Sequence, residues 1–340
     1  MSAPYEQRLA AVSRETPRSV TVGLSAVSRE TGAEEDSPAT VSRETGPPPP
    51  IATQAADAVR VMNLHNEEWP RPEQPRVLAV ANQKGGVGKT TSAVNIATAL
   101  ALHGLSVLLI DLDPQGNAST ALGVDHSIGV PSVYDVLLSG RTLRDVAAPV
   151  TTATSLTCVP ATIDLAGSEI ELTSMVAREH RLSRAIAARL SGDRDLDFIL
   201  IDCPPSLGLL TLNALVAAHE VLIPIQCEYY ALEGLAQLLG TVDLVRAHLN
   251  PDVAVSTVLL TMYDVRTRLA DQVADEVRAH FGSLVLDAVI PRNVRVSEAP
   301  GFGQTVITYD AGSRGAVQYV AAARQVAYTD RPGQPAEGDR

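Results

Sequence analysis

The sequence predicts a fold of the α/β class, a doubly wound and mostly parallel sheet with helices on both faces, preceded by a disordered N-terminal extension. Three observations carry that expectation. Six short Val/Ile/Leu-rich runs lack polar alternation, as strands buried on both faces require: VLAVA (77–81), SVLLID (106–111), DFILID (197–202), EVLIPI (220–225), AVSTVLL (254–260) and LVLDAVI (284–290). Helix-like stretches at 89–103, 208–218, 231–249, 268–281 and 315–328 separate several of them. Strand–helix alternation of this kind builds a parallel sheet. The third observation is a glycine-rich loop that follows the first run and opens the first helix.

The elements follow in order. Residues 1–75 hold the run Pro47-Pro48-Pro49-Pro50, are rich in Ser, Thr and Glu, and show no sustained apolar period. Such a segment cannot bury enough apolar surface to offset the entropy of ordering it. Within it the word Val-Ser-Arg-Glu-Thr occurs at 12–16, 27–31 and 41–45. From Val77 the character changes, and residues 76–328 read as one domain. SVLLID and DFILID each end on an aspartate, Asp111 and Asp202, with Asp113 two positions beyond the first. Carboxylates at strand ends face the sheet edge where α/β ligands bind. Residues 329–340 are a polar, flexible tail.

Composition narrows the class. With 340 residues, 45% of them apolar, the chain is long enough for a sizeable core. No uncharged apolar run reaches the roughly 18 residues of a membrane-spanning helix, and the N-terminus has no signal-like apolar region. Cys158, Cys203 and Cys227 are too few and too scattered for a disulfide framework or a zinc site. The expectation is a cytoplasmic protein. A net charge of −12 argues against nucleic-acid binding over the whole surface while leaving room for a local basic patch. Of 27 basic residues only Lys84 and Lys89 are lysines, and both lie in the glycine-rich loop. A loop that takes ammonium groups where the rest of the chain takes guanidinium calls for a compact point charge.

The loop reads Lys84-Gly85-Gly86-Val87-Gly88-Lys89-Thr90-Thr91 and matches the phosphate-binding pattern GxxxxGK[ST] if the first glycine position is given to Lys84. Glycines let the backbone curl so that its N–H groups face phosphate oxygens. The helix that begins near Lys89 adds its positive end. In this pattern Lys89 reaches the β- and γ-phosphates of ATP and the Thr90 hydroxyl ligates Mg²⁺. Lys84 at the head of the loop is the departure.

Around that loop the chain carries NQKGGVGKTT (82–91), DLDPQGN (111–117), DCPPSLG (202–208), EYYALEG (228–234) and IPRNVRVSEAP (290–300). With these motifs in order, residues 76–328 resemble the ParA/Soj-type chromosome-partitioning ATPases, the deviant Walker A group of the MinD/ParA superfamily of P-loop ATPases. The resemblance implies that Lys84 reaches across a homodimer to the partner's nucleotide and that Asp113 positions the attacking water. It implies that Asp202 holds Mg²⁺ through water, with Asp111 structural, and that Pro291 and Asn293 line the adenine. It implies a slow ATPase, stimulated by a ParB-type centromere-binding protein, that dimerises on ATP and binds double-stranded DNA without sequence preference at the nucleoid, with no membrane partner.

From Asp264 to Arg324 seven arginines balance seven acids, so this stretch is neutral within an acidic chain. Arg266, Arg268, Arg292, Arg295 and Arg314 are expected in loops, where they could converge. The resemblance gives Arg266 the leading part in DNA contact, supported by Arg295, Arg292 and Arg314; surface pairing is the competing reading. Two other functions share the loop. A MinD-like positioning ATPase needs a basic amphipathic C-terminal helix, whereas this chain ends QPAEGDR. A reductase like the nitrogenase iron protein needs cysteines paired across a dimer for a cluster. The repeated pentapeptide admits a docking motif, multiplied for avidity. It also admits a DNA reading: centromere sites of the partner family resemble GTTTCACGTGAAAC, which in frame translates as Val-Ser-Arg-Glu-Thr.

Overall fold

The computed structural model describes residues 68–191, 195–229 and 234–329. Every described residue belongs to one compact unit. The three pentapeptide copies and most of the tail at 329–340 lie outside the described residues.

In chain order the described elements begin with β1 (Arg76–Val80), α1 (Lys89–Leu102), β2 (Val107–Asp111), α2 (Asn117–Ala121), α3 (Val133–Ser139) and α4 (Leu143–Val146). They continue with β3 (Ala148–Pro149), β4 (Leu156–Val159), α5 (Leu165–Thr173), α6 (Arg181–Leu190), β5 (Phe198–Asp202), α7 (Leu209–Ala217) and β6 (Glu220–Gln226). The last are α8 (Leu235–His248), β7 (Ala254–Tyr263), α9 (Arg268–Phe281), β8 (Val285–Pro291), α10 (Val294–Glu298), α11 (Val306–Tyr309) and α12 (Arg314–Tyr328). The sheet runs β3-β4-β2-β5-β1-β6-β7-β8, parallel throughout except where β3 pairs antiparallel with β4. The expected α/β fold is therefore present. The six expected strands are β1, β2, β5, β6, β7 and β8; β3 and β4 are additional.

Alternate residues of the central strands feed two cores. Val77, Ala79, Ile199 and Ile201 pack with the layer containing α7 and α8, while Leu78, Val80 and Leu200 pack with α1 and α12. That double burial is why the strand sequences show no polar face. Helix α1 is buried almost all round because its small residues let α12 lie close against it. The packed chain starts earlier than residue 76: Trp69 is buried and stacks on His103 at 3.8 Å. Arg71 pairs with Asp197 at 2.7 Å.

Sheet order fixes the site. Strand β1 sits between β5 and β6, so the chain leaves its carboxyl end where the strand order reverses, the crevice in which doubly wound sheets bind ligands. Register places Asp202 beside Val80 on one side and beside Asp111 on the other.

Candidate nucleotide site

The loop after β1 is held from both sides. Asn82 donates from Nδ2 to the Pro224 carbonyl at 2.7 Å and accepts from the Lys84 N–H at 3.0 Å. Thr261, on β7, donates to the Val87 carbonyl at 2.8 Å. Gly86 and Gly88 have φ of 74° and 89°, a left-handed conformation that costs other residues about 1–2 kcal/mol. Gly88 is also the N-cap of α1, so the N–H groups of the helix's first turn open towards the loop. Lys89 folds back to donate from Nζ to the Lys84 carbonyl at 3.1 Å. Counted back from Gly88, the first glycine position of the pattern falls at Gln83 and not, as expected, at Lys84, because four residues separate the two glycines of the pattern.

Three acids surround the loop's base. Asp111 is buried and fully used: it accepts from the Ser119 N–H and hydroxyl at 2.9 and 2.7 Å, and from the Asp113 N–H at 3.2 Å. Burial raises its carboxyl to about 6 against those hydrogen bonds. Its work is to tie α2 and the Asp113 turn to the end of β2. Asp113 is 8% exposed and accepts from the Gln115 N–H at 3.0 Å. Asp202 differs from both. It is completely buried, yet neither carboxylate oxygen has a hydrogen bond of normal geometry among the described residues. Burial, and then the neighbouring Asp111, push its carboxyl well above the usual range, with Thr90 and Lys89 pulling the other way. Lys89 is pushed down by burial and held up by Asp202. A buried carboxyl whose oxygens accept no hydrogen bond of normal geometry, set beside Lys89 and Thr90, is an arrangement that a cation would relieve.

Mg²⁺ keeps several waters and takes few protein ligands, so the Thr90 hydroxyl with Asp202 acting through water is a donor set that fits it. A cleft of about 560 Å³ opens beside the loop and brings Gly88, Thr90 and Thr91 together with Pro291 and Asn293. Lys84 does not line this cleft; its ammonium lies 3.8 Å from Glu228, which also pairs with the cleft-lining Arg292. Sequence reasoning passed over Asn82, Thr261 and Glu228. Asn82 and Glu228 belong to the quoted NQKGGVGKTT and EYYALEG motifs, whereas Thr261 comes from within β7 and carries no local signal.

The arginines need a correction. Arg266 and Arg292 lie outside helices, but Arg268 opens α9, Arg295 lies in α10 and Arg314 opens α12. Thr267, Asn293 and Ser313 cap those helices by accepting backbone N–H bonds, which is why short polar residues precede each arginine. Arg266 is 82% exposed and forks onto Asp264 at 2.9 and 2.7 Å, holding that carboxyl down at about 2. Arg292 reaches Glu228 at 3.2 Å, and Arg295 reaches Glu298 at 3.0 Å and Asp310 at 3.4 Å. Arg314 is exposed with no ion pair among the described residues.

Fold and loop together define a P-loop nucleotide-binding protein, and residues 75–255 match the family described as AAA domain. Similarity extends much further. The chain is 53% identical over 252 residues to the sporulation initiation inhibitor protein Soj of Bacillus subtilis, covering 74% of this chain and 98% of that protein. It is 52% identical over 259 residues to the chromosome partitioning protein ParA of Caulobacter vibrioides, covering 76% and 96%. A solved structure from Mycobacterium smegmatis, titled cobyrinic acid a,c-diamide synthase with bound ADP and magnesium, is 42% identical with a TM-score of 0.64. That match covers 74% of this chain and 94% of the other. The chain belongs to the Soj/ParA family of chromosome-partitioning ATPases.

Proposed function

We propose that the chain is an ATP-dependent DNA-partitioning ATPase that uses ATP and Mg²⁺, dimerises on ATP, binds double-stranded DNA without sequence preference, and is released when a ParB-type centromere-binding protein stimulates hydrolysis. The observation that carries this reading is the buried Asp202 carboxyl, without a hydrogen bond of normal geometry, beside Lys89 and Thr90 and under a loop in which Gly86 and Gly88 are left-handed. Bound Mg²⁺ neutralises phosphate charge and orients the phosphates. The chain's residues do the rest. Gly85 to Thr91 hold phosphate by backbone N–H groups, and Lys89 turns from the Lys84 carbonyl to the phosphates. Asp113, buried at the rim with one oxygen bonded to the turn, orients the attacking water. Phosphoryl transfer is mostly positioning and charge neutralisation, so one oriented carboxylate suffices. Pro291 and Asn293 bound the base.

In this reading Lys84 acts in the partner's site, and Arg266, Arg292, Arg295 and Arg314 contact DNA phosphates. Two weak patches joined in one dimer bind as a unit, which makes DNA affinity depend on nucleotide. The working domain runs from the packed Trp69 to residue 328, with the chain before it as extension and 329–340 as tail, in the cytoplasm at the nucleoid. No described helix is long and apolar enough to cross a membrane. The cluster-bearing reductase has little to stand on, since burial pushes the Cys158, Cys203 and Cys227 thiols up and none is at the surface. Co-sedimentation with duplex DNA tests the proposal: retention with ATP, but with neither ADP nor buffer, is expected. Equal retention in all three would refute it.

A further inference from the structure

A second cleft, of about 550 Å³, lies between α3, α4 and α6 and shares no lining residue with the nucleotide cleft. Its wall holds Arg141, Arg144, Arg181, Arg184 and Arg189 and, among the described residues, no acid. In a chain of net charge −12 that concentration of one sign is unusual, and a concave surface focuses it. The helix explains the alignment. Positions 181, 184, 185, 188 and 189 recur at helical spacing, so one face of α6 carries three arginines with Ala185 and Ala188 between them. The alanines give the cleft depth, and Val136 and Leu143 complete an apolar floor.

The guanidiniums divide into held and free. Arg181 donates to the Leu137 carbonyl at 2.7 Å, closing the end of α3. Arg189 forks onto Asp195 at 2.7 and 2.9 Å, and Arg144 approaches the same carboxylate at 3.6 Å. Arg141 and Arg184 have no side-chain partner among the described residues, and both are exposed. Pre-set guanidiniums beside free ones suit planar, bidentate recognition of phosphate. The volume is that of a small-molecule site, and an apolar floor would go unused by a nucleic-acid backbone lying across the rim.

We propose that this cleft binds a phosphorylated small molecule of the nucleoside polyphosphate class. Its phosphates lie on Arg141, Arg144 and Arg184 and its base lies on the floor of Val136, Leu143, Ala185 and Ala188. The site is independent of the hydrolytic loop. The test is isothermal titration of the full-length protein, with Mg²⁺ and saturating ADP occupying the loop, using GTP and inorganic tripolyphosphate as probes. Saturable GTP binding is expected, with tripolyphosphate weaker. Arg184→Glu should weaken GTP binding by about tenfold or more, the scale of one charge-assisted hydrogen bond, and leave ATP hydrolysis unchanged. Arg141→Glu, at a second exposed position, should do the same, and a melting curve like that of the parent shows that each variant is folded. Absence of saturable binding, equal affinity in the variants, or equal affinity for tripolyphosphate would overturn the proposal. Displacement of GTP by duplex DNA would also overturn it and give the cleft to nucleic acid.

Discussion

The phosphate-facing loop and the arginine surface around Arg266 are built by opposite means. The loop is set by backbone: two left-handed glycines, a cap at Gly88 and fixed hydrogen bonds from Asn82 and Thr261. Beneath it sits the buried Asp202 carboxyl, whose oxygens accept no hydrogen bond of normal geometry among the described residues. The arginines are exposed side chains, and three of the four DNA candidates rest on acids of their own chain. A site that leaves a buried polar group unsatisfied awaits its ligand. A surface that satisfies its own charges must be pulled away from them, and its ligand contributes only the difference.

The contrast makes the loop side the more sensitive. Asp113→Ala should lower ATP hydrolysis by about 100-fold or more, the usual range for losing a group that handles the attacking water, while ATP binding and dimerisation persist. DNA residence should lengthen accordingly. Failure of this variant to dimerise with ATP would move Asp113 from water to nucleotide. On the arginine side, Arg266→Glu should cut DNA retention by about tenfold or more at moderate salt and leave ATP-dependent dimerisation intact, read by retention across a salt series. Retention that is unchanged and insensitive to salt would remove Arg266 from the interface. A smaller effect sharpens the comparison. Asp264→Asn keeps an acceptor for the Arg266 N–H but removes the charge that holds the guanidinium. DNA binding should tighten by about threefold, the scale of one exposed ion pair. Weaker binding would show that Asp264 positions Arg266 instead of competing for it.

The same difference decides what the sequence discloses. The loop was legible because glycine conformation and a strand-to-helix junction impose local spacing, and the acids because they terminate apolar strands. The unbonded state of Asp202 was not legible, since it depends on β2, β5 and α1 meeting in space. The arginine surface was only half legible. Its residues were named, but Arg295 was expected in a loop because the five residues of α10 are too few for a period, and Arg268 and Arg314 are the first residues of α9 and α12, where helix and loop meet. The strand β4 was missed for a similar reason: four residues, LTCV, give no run to recognise. The arginine cleft was missed because α3, α4 and α6 each supply part of it.

The pentapeptide repeat needs only the gene for its test. With Ser as TCN and Arg as CGN, every codon base that Val-Ser-Arg-Glu-Thr dictates, up to the second base of the Thr codon, meets its complement across the centre of the word. The genetic code alone thus permits an inverted repeat, the form a two-fold symmetric DNA-binding protein reads. The expected coding sequence at 12–16, 27–31 and 41–45 is GTTTCACGTGAAAC or a near variant. Codons that break the symmetry in all three copies would leave the docking peptide as the better reading.

The central claim is that the loop's two lysines serve two nucleotides, one in each subunit. ATP affinity and sedimentation velocity, measured together on Lys89→Ala and Lys84→Ala, test it most directly. Lys89→Ala should lose ATP affinity as a monomer. Lys84→Ala should bind ATP like the parent yet sediment as a monomer when ATP is saturating. Equal loss of ATP affinity in both variants would contradict the account.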